Sequence, residues 1–211
     1  MFFAANCANH AKGGAHEQFA AQTWVMRIIS GRFKSRRLKA TPPAGIRPTS
    51  DKLKETIFNV LDATVEGATF FDGCAGMGGI GIEALSRGAR RVYFVEQSRK
   101  ACQIIRENLQ LLGIEGGYKI LEMDLIKALD LCIRDGVHFD IAFLDPPYER
   151  DDLYRAALER FASSPAGLLI IEHSKRKDLA DSAGVLRKIR SLVQGDAALA
   201  FYGVGEPADA E

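Results

Sequence analysis

Phe70-Phe71-Asp72-Gly73-Cys74-Ala75-Gly76-Met77-Gly78-Gly79-Ile80-Gly81 decides the fold, because an apolar run ends there in an acid, crosses a glycine-rich turn and reopens at helical spacing. A strand that enters such a turn before a helix lets the backbone approach a ligand closely, since a Cβ at Gly76 or Gly78 would occupy that space. Downstream, short apolar runs keep alternating with helical stretches. The spacing predicts strands at Thr69 to Asp72, Arg91 to Glu96, Lys119 to Met123, Phe139 to Leu144 and Leu168 to Glu172. Helices are predicted between them at Ile80 to Arg87, Ser98 to Leu112, Ile126 to Ile133 and Asp152 to Ala162. Regular β-α alternation means parallel strands with helices on both faces. The last two runs, Val185 to Val193 and Ala197 to Tyr202, meet at Gln194-Gly195-Asp196 and predict an antiparallel hairpin closing the sheet edge.

Three acids, Asp72, Glu96 and Asp124, fall at the ends of successive strands, where open parallel sheets bind ligands. Glu96 lies 20 residues past Gly76, the spacing at which a carboxylate meets ribose hydroxyls. Asp124 is placed to meet an adenine amino group. Any one of the three alone reads as a helix cap or a solvated strand end, but all three together weigh against that. Asp72, directly before the glycines, would repel a pyrophosphate and accept hydrogen bonds from an ammonium. The sign of the charge therefore favours S-adenosylmethionine over a dinucleotide. Its expected contacts are Asp72, Gly73, Ala75, Gly76, Gly78, Glu96, Gln97, Asp124, Leu125 and Asp145.

Asp145-Pro146-Pro147-Tyr148 follows the fourth strand and is the most specific signal in the chain. An exocyclic amine on a nucleobase is a poor nucleophile because its lone pair is delocalised into the ring. Hydrogen bonds from its two N–H groups to the Asp145 carboxylate and the Pro146 carbonyl would localise that lone pair. Consecutive prolines fix φ, so the acceptors are held ready before reaction. Tyr148 can stack on the base, a contact worth roughly 1–3 kcal/mol. Asp145, Pro146, Pro147 and Tyr148 are accordingly the expected catalytic residues. Cys74 reads as a small packing residue, and His138 and His173 as incidental.

The formal net charge of +1 gives no global argument for nucleic acid, so any basic field must be local. Residues 27 to 47 supply one: Arg27, Arg32, Lys34, Arg36, Arg37, Lys39 and Arg47 stand there without an acid, with Phe33 among them. Such a run is often just a solvated face, but its purity favours phosphate contacts, with Arg32, Lys34, Arg36, Arg37, Arg47 and Thr49 as the RNA-binding candidates. Cysteines 7, 74, 102 and 132 form no Cys-x-x-Cys pair, which excludes a zinc framework and fits reduced thiols in a cytoplasm. No apolar run approaches the ~18 residues that cross a bilayer. Residues 1 to 25 show no sustained period and read as a disordered extension, with Met26 a candidate start. The domain plan is thus 1–25 disordered, 26–66 a basic hairpin and helix that contacts RNA, 67–205 the catalytic domain and 206–211 a flexible tail.

With those residues in place, the chain resembles the bacterial 16S rRNA (guanine-N2)-methyltransferases of the RsmD family from about Met26 to Gly203. The resemblance is carried by Arg27-Ile28-Ile29-Ser30-Gly31, Arg47-Pro48-Thr49 leading into Lys54-Glu55-Thr56-Ile57-Phe58-Asn59-Val60-Leu61, Ala75-Gly76-Met77-Gly78, Glu83-Ala84-Leu85-Ser86-Arg87-Gly88-Ala89 and Asp145-Pro146-Pro147-Tyr148. It implies a Rossmann-like, class I S-adenosylmethionine-dependent methyltransferase: an α/β fold with a seven-stranded, mostly parallel sheet and a small N-terminal hairpin. The implied substrate is a guanine of 16S rRNA in an assembled or assembling small subunit, modified by a monomer without metal. Gly73-Cys74 stands where the family usually has Leu-Phe, a loss of aromatic packing that predicts a looser loop.

Two other readings stay open. A DNA adenine-N6 methyltransferase would share Asp-Pro-Pro-Tyr, but only about twenty residues separate Tyr148 from the fifth strand, too few for a target-recognition domain. A non-catalytic RNA-binding assembly factor would have no chemical need for Asp72, Glu96, Asp145 and Tyr148 together.

Overall fold

The computed structural model describes residues 26–40 and 49–205. The expected disordered extension, the candidate start's upstream residues, Arg47 and the tail from 206 lie outside the described residues. The described chain runs through β1 (Met26–Arg27), β2 (Arg37–Leu38), α1 (Asp51–Leu61), a 3-10 turn (Asp62–Val65), β3 (Thr69–Gly73), α2 (Gly79–Ser86), β4 (Arg91–Val95) and α3 (Arg99–Leu111). It continues through β5 (Tyr118–Leu121), α4 (Leu125–Arg134), β6 (Ile141–Leu144), α5 (Asp151–Ser163), β7 (Leu168–Ser174), β8 (Ser182–Ala183), β9 (Leu186–Gln194) and β10 (Ala197–Val204).

The main sheet has the order β5-β4-β3-β6-β7-β10-β9-β8. Its first five strands are parallel, and β10, β9 and β8 complete it antiparallel. The seven expected strands are all present, and the two-residue β8 adds an eighth at the edge. Element ends differ from the sequence expectation by one or two residues. β7 runs on past Glu172, so His173 is a buried strand residue rather than part of a loop, and its Nδ1 lies 3.0 Å from the Ser174 carbonyl oxygen.

Every residue of β3 and β6 is buried, as parallel strands covered on both faces require. Alternate residues feed two apolar layers. Phe70, Phe94, Phe143 and Ile170 pack beneath α1, α2 and α3, while Phe71, Tyr93, Leu144 and Ile171 pack beneath α4 and α5. The chain leaves β3 toward β5, then returns to place β6 on the other side of β3. That reversal lies at β3 and β6, and the carboxyl ends of strands at such a reversal are the usual ligand position in open parallel sheets.

The β1–β2 hairpin pairs Met26 with Leu38 and joins the same core, because Met26, Ile28 and Leu38 pack with Leu53, Ile57 and Ile80. A buried polar network fixes it there. The fully buried Glu83 of α2 accepts from the backbone N–H groups of Ile29 (2.8 Å) and Ser30 (2.9 Å) and pairs with Arg87. Ser86 donates to the Ser30 carbonyl and accepts from the Phe33 N–H. A Cβ at Gly31, whose φ is +81°, would strike the Ser86 backbone, so only glycine lets the hairpin lie this close. Buried Lys54 of α1 completes the junction by donating to the Arg27 carbonyl. Glu83→Ala leaves two N–H groups unsatisfied and Arg87 without its partner, and should destabilise the protein by about 3 kcal/mol. Urea unfolding measures that loss, and hydrogen exchange should show early opening at Ile29 and Ser30; a loss below about 1 kcal/mol would mean that apolar contacts alone dock the hairpin.

Candidate active site

The glycine loop is held by the acids themselves. Asp72, buried at the end of β3, accepts from the Gly81 N–H at 2.8 Å. Glu96 accepts from Gly76 N–H through one oxygen (2.9 Å) and from Ser98 N–H through the other (2.7 Å). These bonds draw the loop between the ends of β3 and β4. Glycines serve that geometry more than ligand room: the missing Cβ of Gly78, at φ +80°, faces Ile105 (3.1 Å) and Ile82 (3.3 Å) in the protein core. This corrects the sequence expectation for Gly78. A side chain at Gly81 would collide with Phe94 and come within 2.9 Å of Asp72 Oδ2, so Gly81 is what allows the Asp72 bond. The expected looseness at Gly73-Cys74 is also corrected, since Leu144, Phe71 and Leu125 fill the space a Cβ at Gly73 would need. Cys74 packs half-buried against the α4–α5 layer, as a small packing residue should.

The acids converge. Burial pushes the Cys74 thiol up, and Asp145, Glu96, Asp72 and Asp124 add to that shift in that order, so all four carboxylates lie within electrostatic reach of one thiol. Asp124 caps α4, its Oδ1 accepting from Ile126 N–H (2.9 Å) and Lys127 N–H (3.3 Å). Leu125 is buried at the first position of that helix, and Gln97 is exposed beyond Glu96. Burial, then Glu172, then Asp72 hold the Asp145 carboxyl well above the usual carboxylate range. Asp72 is raised to about 7, by burial first and by Glu96 to a lesser degree, against the opposing Gly81 hydrogen bond. Such crowding favours a cationic ligand and opposes a phosphate.

Asp145 to Tyr148 leave β6 beside this cluster, with the Asp145 N–H donating to Gly73 O at 3.1 Å. The Pro146 carbonyl already accepts from the Tyr154 hydroxyl of α5 at 3.0 Å, leaving its second lone pair for substrate. Tyr148 donates to Glu172 Oε1 at 3.2 Å. Sequence reasoning missed Glu172 and Tyr154. Glu172 was visible as an acid ending an apolar strand, whereas Tyr154 sits in an amphipathic helix where a tyrosine reads as core. On the far side of Tyr148 a cavity of about 900 Å³ opens between α5 and the β7–β8 segment, with Tyr154, Leu158, Arg176 and Leu179 among its walls. Tyr148 is among its lining residues, and none of Asp72, Glu96, Asp124 or Asp145 is.

Arg32, Lys34, Arg36 and Arg37 are exposed on the hairpin and make no ion pair among the described residues. Arg27 and Lys39 are instead paired with Asp51 and Glu107. Thr49 lies half-buried just before Ser50, whose hydroxyl accepts from Leu53 N–H and caps α1. Among the described residues no group of three His, Cys, Asp or Glu side chains is arranged to hold a metal, and no helix is long and apolar enough to cross a membrane.

The family model described as Conserved hypothetical protein 95 matches residues 26–203. The chain is 36% identical over 181 residues to the Bacillus subtilis protein named "Putative rRNA methyltransferase YlbH", covering 84% of this chain and 98% of that one. It is 34% identical over 159 residues to "Ribosomal RNA small subunit methyltransferase D" of Haemophilus influenzae, covering 73% and 81%. Among solved structures, "Putative methyltransferase yhhF from Escherichia coli" superposes with a TM-score of 0.73 at 27% identity, over 85% of this chain and 97% of that one.

Asp72 gives the site a pH signature. In the unfolded chain it ionises near 4, but folded only near 7, so folding takes up a proton between those values and stability falls as pH rises through that window. Asp145 acts in the same direction. Asp72→Asn should flatten the decline in urea stability between pH 5 and pH 8 in the ligand-free protein; an unchanged slope would mean that Asp72 is not the titrating group.

Proposed function

The chain belongs to the RsmD family, described as Conserved hypothetical protein 95, and on that premise we propose that it transfers a methyl group from S-adenosylmethionine to the exocyclic N2 amine of a guanine in 16S rRNA. The observation that carries this reading is the Asp145-Pro146-Pro147-Tyr148 turn, whose Asp145 shares the strand-order reversal with the carboxylates of Asp72, Glu96 and Asp124. The donor set fits the cofactor, since those carboxylates suit a ligand with an ammonium and a sulfonium and no phosphate. When bound, S-adenosylmethionine supplies a methyl carbon made electrophilic by its sulfonium. Asp72, Glu96 and Asp124 would hold the ligand's polar groups, with Gly73, Ala75, Gly76, Gln97 and Leu125 forming the surrounding wall.

The substrate side is the task of the turn. Asp145 and the free lone pair of Pro146 O accept the two N–H groups of the amine and aim its lone pair at the methyl carbon. As the N–C bond forms and the carbon–sulfur bond breaks to leave the neutral thioether S-adenosylhomocysteine, the amine would gain positive charge and have to release a proton. Asp145 is the acceptor at hand, and its raised pKa makes it a better base than an ordinary carboxylate. Tyr148 offers its ring to the base. The β6–β7 crossover holds only this turn and α5, with no inserted domain to grip duplex DNA, which supports RNA over DNA as substrate. Arg32, Lys34, Arg36 and Arg37 supply phosphate contacts from a hairpin locked onto the catalytic sheet by Glu83, and Arg47 and Thr49 extend them. The substrate is the small subunit, assembled or assembling, and the enzyme acts as a monomer.

Asp145→Ala should lower kcat by at least about 100-fold on small-subunit particles lacking the modification, while S-adenosylhomocysteine affinity by calorimetry stays within a few-fold. Nucleoside mass spectrometry of the product should place the wild-type label on guanine N2, and near-normal turnover by the variant would remove Asp145 from the mechanism. Changing Arg36 and Arg37 together to Ala should weaken RNA binding at low salt and reduce the slope of log K against log salt by roughly 1.5. An unaltered slope would return that hairpin to the role of a solvated face.

A further inference from the structure

Glu172 has no task in the mechanism above, yet it touches each part of the catalytic turn. The parallel register sets Leu144 of β6 opposite Ile171 of β7, so the next residues, Asp145 and Glu172, follow side by side on the same face. The Glu172 side chain is buried and its Oε1 accepts from the Tyr148 hydroxyl at 3.2 Å. Its backbone carbonyl lies 3.3 Å from the Tyr154 hydroxyl, which donates to Pro146 O at 3.0 Å. One residue thus adjoins Asp145, holds Tyr148 and shares the donor that braces Pro146.

A buried carboxylate beside another is costly, and a glutamine could accept the Tyr148 hydrogen bond without that cost. The charge itself therefore calls for a use. We propose that Glu172 is a positioning residue for methyl transfer, anchoring Tyr148 and, through its negative charge, making Asp145 the stronger acceptor of the amine's N–H groups. The groups facing Asp145 are Asp72 from β3, Glu172 from β7, Cys74 from the glycine loop and Tyr154 from α5, with Tyr148 beside them in the turn and Glu96 and Asp124 beyond Cys74. Arg150, at the start of α5, acts on Asp124 and Cys74 and is itself paired with Asp152. After burial, Glu172 is the largest influence raising the Asp145 carboxyl. The inference rests on the methyl-transfer reading of this turn.

Two substitutions separate the two roles. Glu172→Gln keeps an acceptor for Tyr148 and removes the charge, whereas Glu172→Asp keeps the charge and draws the acceptor back from Tyr148. The first readout needs no turnover: in ligand-free protein with 13C-labelled aspartate, the Asp145 carboxyl, assigned with Asp145→Asn, is titrated by NMR. Its midpoint should fall by about one pH unit or more in Glu172→Gln and stay near the wild-type value in Glu172→Asp. In activity assays, the acid limb of the kcat profile should move to lower pH in Glu172→Gln, with kcat at the plateau down about tenfold and KM for S-adenosylmethionine within about twofold. An Asp145 midpoint that is unmoved in Glu172→Gln, or that falls equally in Glu172→Asp, overturns the proposal. If the wild type binds S-adenosylhomocysteine but methylates no rRNA, the substrate assignment fails, and the NMR titration still decides the role of Glu172 at this site.

Discussion

Like charges brought together in a water-poor crevice cannot all stay ionised without either donors or a counter-charge. Asp72, Glu96, Asp124 and Asp145 are in this position at the carboxyl edge of one sheet, and much of the surrounding structure answers to it. Glu96 and Asp124 are each supplied with two backbone N–H groups, from Gly76 and Ser98 and from Ile126 and Lys127. Asp72 receives only one, from Gly81, and is buried; its carboxyl is correspondingly raised. Asp145 sits between Asp72 and Glu172 and is raised as well. A cation bound beside Asp72 and Asp145 would relieve the crowding that raises both carboxyls.

The large features of this arrangement were legible in the sequence because they depend on period and punctuation. β-α alternation, the glycine turn and the acid after each apolar run gave the parallel sheet and its ligand edge, and the proline pair marked the substrate-side turn. What the sequence did not disclose was which partner each acid takes. From the sequence Glu96 looked like a ribose ligand, and in the structure its carboxylate clamps Gly76; Asp124 looked like an adenine ligand, and in the structure it caps α4. Gly78 looked like room for a ligand and in fact faces Ile105. A single sequence gives the type and order of side chains, but not the strand register that sets Glu172 beside Asp145 or the helix packing that brings Tyr154 to Pro146. Gly73 shows the same limit: missing aromatic packing looked like slack, yet Leu144 and Leu125, distant in sequence, occupy the space.

The basic hairpin illustrates how a surface feature is made rigid. Its four cations without an ion pair among the described residues belong to a hairpin whose two-residue ladder could not persist alone. Its docking rests on apolar side chains shared with α1 and α2 and on Glu83, which receives two hairpin N–H groups in the interior. The same α2 begins at the glycine loop and ends at Ser86 beneath the hairpin, so one short helix links the ligand loop to the proposed phosphate contacts. Any tilt of α2 would be felt at both, through Gly81 at one end and Ser86 at the other.

Charge is therefore sorted by place. On the proposed function, a cation is favoured at the acidic edge, phosphates at the hairpin and a neutral base at the turn. In the proposed reaction this sorting also couples the two substrates. A cationic ligand lowers the pKa of every carboxylate near it, so its arrival drives protons off Asp72 and Asp145. An ionised Asp145 is the form that can accept both the amine's hydrogen bond and, later, its proton. The acceptor is thus strengthened by the methyl donor's own charge, and a base that enters without the donor meets a weaker one. No moving part is required for this coupling: the fixed register of β3, β6 and β7, which sets Asp72 and Glu172 on either side of Asp145, is sufficient.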